Sequence, residues 1–205
     1  MLSKAVFLDK DGTLVKDVPY NIDPDLIQLT EGTLEGLRLL QEQQYQLFVV
    51  TNQSGVARGY FEEPALTAVE KKLQALLAAA GVHLSGFYYC PHHPEGNVPK
   101  YSVECSCRKP QPGMLQKAAL EHRINLASSW LVGDILNDIE AGNRAGCRTV
   151  LIDNGNETEW VMNPRRHPGF TVKNLYEAAS TIVRESLQEW NLSYGKKEHR
   201  SSKYY

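Results

Sequence analysis

The sequence has 205 residues, of which 42% are hydrophobic and 22% charged, and its formal net charge is −2. This length allows one domain with a substantial core, the composition is ordinary for a globular protein, and the small charge argues against global attraction to nucleic acid. No apolar run approaches the roughly 20 residues of a membrane helix, and residues 1–4 show no signal-peptide pattern. We therefore expect a cytoplasmic protein.

Five short apolar runs predict buried strands. Their near-continuous apolar character is typical of parallel strands that are covered on both faces. The runs are residues 5–8, 47–50, 86–89, 130–132 and 149–152.

Helical patterns lie between these runs. Apolar residues recur at helical spacing over 34–40 and 66–80, and Gly81 then supplies a stop. Further helices are predicted from near Pro112-Gly113, over 135–145 and over 175–187. This alternation predicts an α/β fold with a doubly wound parallel sheet.

The chain shows no internal repeat and no linker that would divide two domains. We therefore predict a single domain over residues 1–190. Residues 191–205 are predicted to be a flexible tail, because Tyr194–Tyr205 is polar, basic and aperiodic. A basic docking segment is the alternative for this stretch.

Two carboxylates follow the first predicted strand, in the run Asp9-Lys10-Asp11-Gly12-Thr13. Ligands of open α/β sheets bind beyond the carboxyl ends of the strands, so both acids emerge where chemistry is expected. A plain polar turn is the simpler explanation. A calcium loop is excluded, because it needs Glu at its twelfth position and the sequence has Tyr20 there.

Further polar groups follow the other predicted strands or precede a predicted helix. Thr51 comes directly after the second strand, Lys109 lies in an Arg-Lys-Pro run before a helix, and Asp134 follows the 130–132 strand. Asp138 lies one helical turn beyond Asp134, where it could support the site or serve the helix alone. Each feature could be turn or cap chemistry, but together they predict an active site at one edge of the sheet.

Four residues form two close pairs with the spacing of metal ligands: Cys90 and His92, then Cys105 and Cys107. Four protein ligands suit a tetrahedral, structural zinc site with no open position. The intervening loop has almost no apolar residues, so a metal would explain its order. Three unrelated thiols and a surface histidine are the alternative, and His93 is the competing ligand. Cys147 stands apart and is predicted to be a small core residue.

The order Asp-x-Asp-Gly-Thr, Thr, Lys, Gly-Asp over residues 5–153 resembles the haloacid dehalogenase-like phosphatases. The resemblance implies that Asp9 is a covalent nucleophile and Asp11 the general acid and base. It also implies Mg²⁺ on Asp9, Asp134 and the backbone carbonyl of Asp11, with Thr51 and Lys109 on the phosphoryl oxygens. No GxGxxG or Walker loop supports a nucleotide-binding alternative.

The cysteine pairs and the run that follows them resemble two groups within this family. These are the D-glycero-D-manno-heptose-1,7-bisphosphate 7-phosphatases and the histidinol-phosphatases, and residues 51–59 and 88–94 favour the heptose group. Ile135 departs from the pattern, since some relatives carry a lysine there. The resemblance, together with the suitability of arginine for binding phosphate, gives the predicted substrate-binding residues: Asp17, Val18, Pro19, Tyr20, Asn52, Gln53, Ser54, Arg58 and Arg108.

The resemblance thus implies hydrolysis of a small sugar phosphate, the 7-phosphate of a heptose bisphosphate, with Mg²⁺ and Zn²⁺ as cofactors. A histidinol-phosphatase is the nearest alternative, and a non-catalytic zinc-stapled interaction module is a distant one. We expect a monomer with no nucleic-acid or membrane partner. Solvated surface charge is the alternative role for Arg58 and Arg108.

Overall fold

The computed structural model of the protein describes residues 2–198, with side chains as far as Asn191. Within this range six strands form one sheet in the order β3-β2-β1-β4-β5-β6, and every neighbouring pair is parallel. The strands are β1 (Ala5–Leu8), β2 (Gln46–Asn52), β3 (Gly86–Cys90), β4 (Trp130–Gly133), β5 (Arg148–Ile152) and β6 (Phe170–Val172). The predicted doubly wound parallel sheet is confirmed.

All five predicted strands are present, and β6 is the one that the sequence did not reveal. It has three residues at the edge of the sheet, where Phe170 and Val172 are only half-buried. So short a strand, covered incompletely, leaves no apolar run to recognise.

Six α-helices connect or flank the strands in the described part of the chain. They are α1 (Thr33–Glu42), α2 (Gly55–Arg58), α3 (Leu66–Ala79), α4 (Gly113–His122), α5 (Leu136–Ala145) and α6 (Leu175–Glu198). The last helix runs beyond its predicted end, so residues 191–198 of the predicted tail are helical, and residues 199–205 lie outside the described range. None of the described helices is both long and apolar enough to cross a membrane.

The central strand β1 divides its side chains between two cores. Val6 and Leu8 pack into a cluster with residues of α1, α3 and α6. Ala5 and Phe7 pack on the other face, against residues of α4 and α5. Helices therefore cover both faces, which is why the strands read as continuous apolar runs.

The sheet changes direction of growth at β1, which lies between β2 and β4. Strands β2 and β3 are added on one side of β1, and β4, β5 and β6 are then added on its other side. Ligands bind at such switch points, outside the carboxyl ends of the strands. Asp9 follows β1 and Asp134 follows β4, so both emerge at this crevice.

Candidate active site

The loop after β1 turns sharply against the end of β4. The Asp9 amide donates to the Val132 carbonyl at 2.9 Å, and Gly12 has a φ of +80°. A Cβ atom at Gly12 would lie 1.9 Å from Asp134 Oδ2. Only glycine therefore allows the loop to pass this close to the Asp134 carboxylate.

Lys109 lies at the centre of the site. Its Nζ is 2.5 Å from Asp9 Oδ1, 2.6 Å from Asp138 Oδ1 and 2.8 Å from the Val50 carbonyl. Asn52 fixes the backbone of Lys109 through two hydrogen bonds of 3.0 Å, one to its carbonyl and one from its amide. Burial alone would lower the pKa of Lys109, but Asp138 and Asp9 raise it above its ordinary value, so the side chain is a cation.

Asp134 is buried, and both of its oxygens accept hydrogen bonds. Thr13 donates to Oδ1 at 3.2 Å and Asn156 donates to Oδ2 at 2.6 Å. Burial, with repulsion from Asp138, raises the pKa of Asp134 to about 6. This carboxylate is therefore held in place by neutral donors.

Asp138 has two roles that the sequence left open. Besides its ion pair with Lys109, its Oδ2 accepts from the Ile135 amide at 3.3 Å, at the start of α5. A Cβ atom at Gly133 would lie 2.3 Å from the Asp138 side chain, so the glycine before Asp134 makes room for it. The residue both caps its helix and orients the lysine.

The site carries more negative than positive charge. Asp9, Asp134 and Asp138 are buried, and one oxygen of each lies within 4.8 Å of the others. Among the described residues Lys109 is paired with two of them, and no cation is paired with Asp134. Burial and the surrounding carboxylates raise the pKa of Asp9 well above its ordinary value. These oxygen ligands fit a divalent cation such as Mg²⁺.

Polar neighbours hold Asp11 and Thr51. Lys10 donates to Asp11 Oδ1 at 2.5 Å, and Gln53 Nε2 donates to Asp11 Oδ2 at 3.1 Å. Gln53 also donates to Thr51 at 2.9 Å. The side-chain amide of Gln53 thus connects the end of β2 to the loop after β1.

Two adjoining cavities open at this edge of the sheet. A cavity of 190 Å³ is lined by Asp9, Asp11, Asp17, Thr51, Asn52, Lys109, Asp134, Ile135 and Asn156. A second, of 260 Å³, is lined by Asp11, Asp17, Val18, Pro19, Tyr20, Asn21, Asn52, Gln53, Ser54 and Gly55. The structure thus brings all the predicted substrate-binding residues of segments 17–20 and 52–54 to one place.

The two predicted arginines lie elsewhere. Neither Arg58 nor Arg108, both of which the structure describes, lines these two cavities. Arg58 Nη2 lies 3.3 Å from His93 Nε2, and Arg108 Nη1 donates to the His92 carbonyl at 3.3 Å. Burial lowers the pKa of Arg108, in keeping with a position against the cysteine loop, residues 90–107, rather than in either cavity.

The four predicted zinc ligands converge. The Cys107 sulfur lies 3.1 Å from that of Cys90 and 3.2 Å from that of Cys105, and His92 Nδ1 lies 3.4 Å from Cys107. Tetrahedral zinc with bonds of about 2.3 Å separates its sulfur ligands by about 3.8 Å, close to this arrangement. The set fits a structural metal ion, with His92 rather than His93 directed inward.

The chemistry of the thiols agrees with that fit. Hydrogen bonding to Cys90 lowers the pKa of Cys107 to about 5 and raises the pKa of Cys90. The lowered pKa of Cys107 favours its thiolate, the form that binds metal. Cys147 lies apart in the core beneath α4 and α5, as predicted.

Three residues of the site were missed by sequence reasoning. In the sequence Lys10 is only the spacer of the Asp-x-Asp motif, and its contact with Asp11 becomes visible in the structure. Asn154 donates to the Gly12 carbonyl at 2.8 Å and Asn156 to Asp134, and both come from the loop after β5. Their position just beyond a strand that was predicted is the signal that could have found them.

Comparison with known proteins places the chain in a family. The HAD-hydrolase-like family model, named for the haloacid dehalogenases, matches residues 106–178. A D-glycero-beta-D-manno-heptose-1,7-bisphosphate 7-phosphatase from Pasteurella multocida is 45% identical over 155 residues, which is 75% of this chain and 84% of the relative. The protein of the same name from Yersinia pestis is 41% identical over 168 residues, which is 78% of this chain and 89% of the relative.

Solved structures give the same result. A putative HAD-like phosphatase from Mesorhizobium loti superposes with a TM-score of 0.76 at 34% identity, covering 88% of each chain. The D,D-heptose 1,7-bisphosphate phosphatase from B. bronchiseptica, complexed with magnesium and phosphate, has a TM-score of 0.72 at 29% identity, covering 89% of this chain and 99% of the other. The chain belongs to the haloacid dehalogenase-like phosphatases.

Proposed function

We propose that this phosphatase hydrolyses the 7-phosphate of D-glycero-D-manno-heptose 1,7-bisphosphate. The substrate assignment rests on one observation. Relatives named for this reaction are 40–45% identical and align over most of both chains. The cavity lined by residues 17–20 and 52–54 supports it, since it adjoins the carboxylates and offers polar groups to a sugar.

The chain's own groups support a two-step reaction. Asp9 attacks phosphorus, so that a bond forms from its carboxylate to phosphorus and the bond to the sugar oxygen breaks. Asp11 gives its proton to the departing sugar oxygen, then accepts one from the water that hydrolyses the aspartyl-phosphate. Thr51 and Lys109 hold the remaining phosphoryl oxygens by hydrogen bonding and charge. The contacts of Lys10 and Gln53 with Asp11 would keep that acid oriented.

Magnesium completes this proposal. Asp9, Asp134 and the backbone carbonyl of Asp11 would hold the ion. When bound, it supplies the positive charge that lets a phosphate dianion share a buried site with these carboxylates. The support is the unpaired charge of Asp134 beside an Asp9 that already shares Lys109 with Asp138.

We also propose that the cysteine loop binds a zinc ion. Cys90, His92, Cys105 and Cys107 would be its ligands, in keeping with their mutual distances and the thiolate character of Cys107. Four protein ligands leave no position for a substrate, so the role of the ion is structural.

The arginines distinguish the heptose substrate from histidinol phosphate. We propose that Arg58 and Arg108, which contact His93 and the His92 carbonyl outside the two cavities, form a second anion site for the remote phosphate of a bisphosphate. Histidinol phosphate carries a cationic amine that two arginines would repel. Binding at this second site requires the sugar to reach beyond the two cavities that adjoin Asp11.

Steady-state kinetics with both substrates test the proposal. We expect kcat/KM for the heptose bisphosphate to exceed that for histidinol phosphate by at least ~10²-fold, or about 2.7 kcal/mol. Arg108→Ala should reduce that preference mainly by slowing the bisphosphate reaction, whereas Arg184→Ala, on the far α6, serves as the matched control. Equal kcat/KM values for the two substrates would leave a phosphatase but remove the heptose assignment.

A further inference from the structure

The loop between β5 and β6 is fastened to the active site by three polar side chains near its start. Asn154 donates to the Gly12 carbonyl at 2.8 Å, and Asn156 donates to Asp134 at 2.6 Å. Glu157 accepts from the Leu136 amide at 2.7 Å, at the start of α5. The loop therefore contacts both the turn after β1 and the end of β4.

Asp134 differs from the other buried carboxylates in its partners. Asp9 and Asp138 each contact the cationic Lys109, at 2.5 and 2.6 Å. The donors to Asp134 within the described chain are Thr13 on one oxygen and Asn156 on the other, and both are neutral. Asp134 therefore makes no ion pair within the described chain, which leaves its carboxylate able to bind an external cation.

We propose that Asn156 is a positioning residue that sets the magnesium affinity of the enzyme by orienting the Asp134 carboxylate. Each carboxylate oxygen has about two acceptor directions, so Oδ2 can accept from the amide and still face an ion. A neutral amide fixes the carboxylate without cancelling its charge, whereas a lysine would compete with the metal. Ile135, which follows Asp134, carries no side-chain donor that could do this instead.

This inference rests on the proposed magnesium site, and it has a simpler rival. Asn156 could merely fasten the loop, as Asn154 does through its bond to the Gly12 carbonyl. The two roles differ in one respect. A fastening role makes both asparagines equivalent for magnesium binding, whereas a positioning role belongs to Asn156 alone, because only Asn156 contacts the carboxylate.

The test measures Mg²⁺ binding directly, by isothermal titration of the zinc-loaded, phosphate-free enzyme. We expect Asn156→Ala to weaken Mg²⁺ binding about 10-fold, the smaller end of the range for residues that support a metal ligand, since Asn156 is itself exposed. Asn156→Leu, of similar shape but without a donor, should behave alike. Turnover of p-nitrophenyl phosphate by both variants should recover at saturating Mg²⁺, because the substitutions weaken Mg²⁺ binding and leave the catalytic groups in place.

Three further variants separate the explanations. Asn154→Ala removes an amide from the same loop and should weaken Mg²⁺ binding less than Asn156→Ala. The side chain of Asn163 accepts from the Arg165 amide within the loop, and Asn163→Ala should leave the Mg²⁺ affinity unchanged. Asp134→Ala should abolish Mg²⁺ binding.

The outcomes are distinguishable. Wild-type Mg²⁺ affinity in Asn156→Ala, tighter binding, or equal weakening in Asn154→Ala would overturn the positioning role of Asn156. Undiminished Mg²⁺ affinity in Asp134→Ala would instead remove the proposed metal site on which the inference rests.

Discussion

Replacing Gly12 with alanine should inactivate the enzyme through one added methyl group. The new Cβ would lie 1.9 Å from Asp134 Oδ2 and 2.3 Å from Asn156 Nδ2. Since non-bonded atoms sit about 3.5 Å apart, the carboxylate must move by about 1.5 Å. A misplacement of about 1 Å can cost ~10²-fold in rate, so we expect kcat/KM to fall at least that far. The positive φ of Gly12 adds about 1–2 kcal/mol of destabilisation.

Gly146→Ala provides the matched control. Gly146 has nearly the same backbone conformation, with φ +83° against +80°, but nothing lies within 4 Å of its added Cβ. We expect a similar loss of about 1–2 kcal/mol in the free energy of unfolding, measured by urea denaturation, with kcat/KM retained. Near-normal turnover by Gly12→Ala, or an equal loss of turnover in Gly146→Ala, would refute the argument that the close approach to Asp134 matters.

Three other predictions concern the nucleophile and the two metals. Asp9→Asn should abolish turnover while circular dichroism shows a folded protein, because an amide cannot form the aspartyl-phosphate; substantial steady-state turnover would exclude the covalent mechanism. Because the pKa of Asp134 is raised to about 6, protonation should weaken Mg²⁺ binding by up to ~10-fold per pH unit below that value, in titrations at pH 5, 6 and 7. An affinity independent of pH would count against Asp134 as a ligand. Cys107→Ser should lower the zinc content, measured by elemental analysis, and increase hydrogen exchange in residues 91–106 without unfolding the sheet; wild-type protein free of zinc would contradict this.

Much of the fold could be predicted because the strands are covered on two faces. Such strands leave continuous apolar runs, and the polar residues that follow them mark the carboxyl edge of the sheet. Asp9, Thr51 and Asp134 were predicted for that reason. The half-covered β6 leaves no such run, and α6 continues past its apolar pattern as far as Glu198.

The remaining details depend on contacts between distant segments. Asn156 reaches Asp134 across 22 positions of the chain, and no local pattern predicts which polar residue of a loop will make that contact. In the sequence, Lys10 between two acids is typical of a polar turn, and its burial is a property of the folded chain alone. The choice of His92 over His93 followed from the matching Cys-x-His and Cys-x-Cys spacing. The monomeric state and the cytoplasmic location stay predictions.

The cysteine loop and Lys109 are parts of one continuous segment. Cys107 is two residues before Lys109, and the intervening Arg108 amide donates to the Cys105 sulfur at 3.3 Å. Asn52 then clamps Lys109 itself from the end of β2. The cysteine loop therefore cannot be exchanged for another loop, in order to change the substrate, without regard to the position of Lys109. Any graft must preserve the chain path from the last cysteine to the lysine, or a change in substrate preference will be accompanied by a loss of catalytic rate.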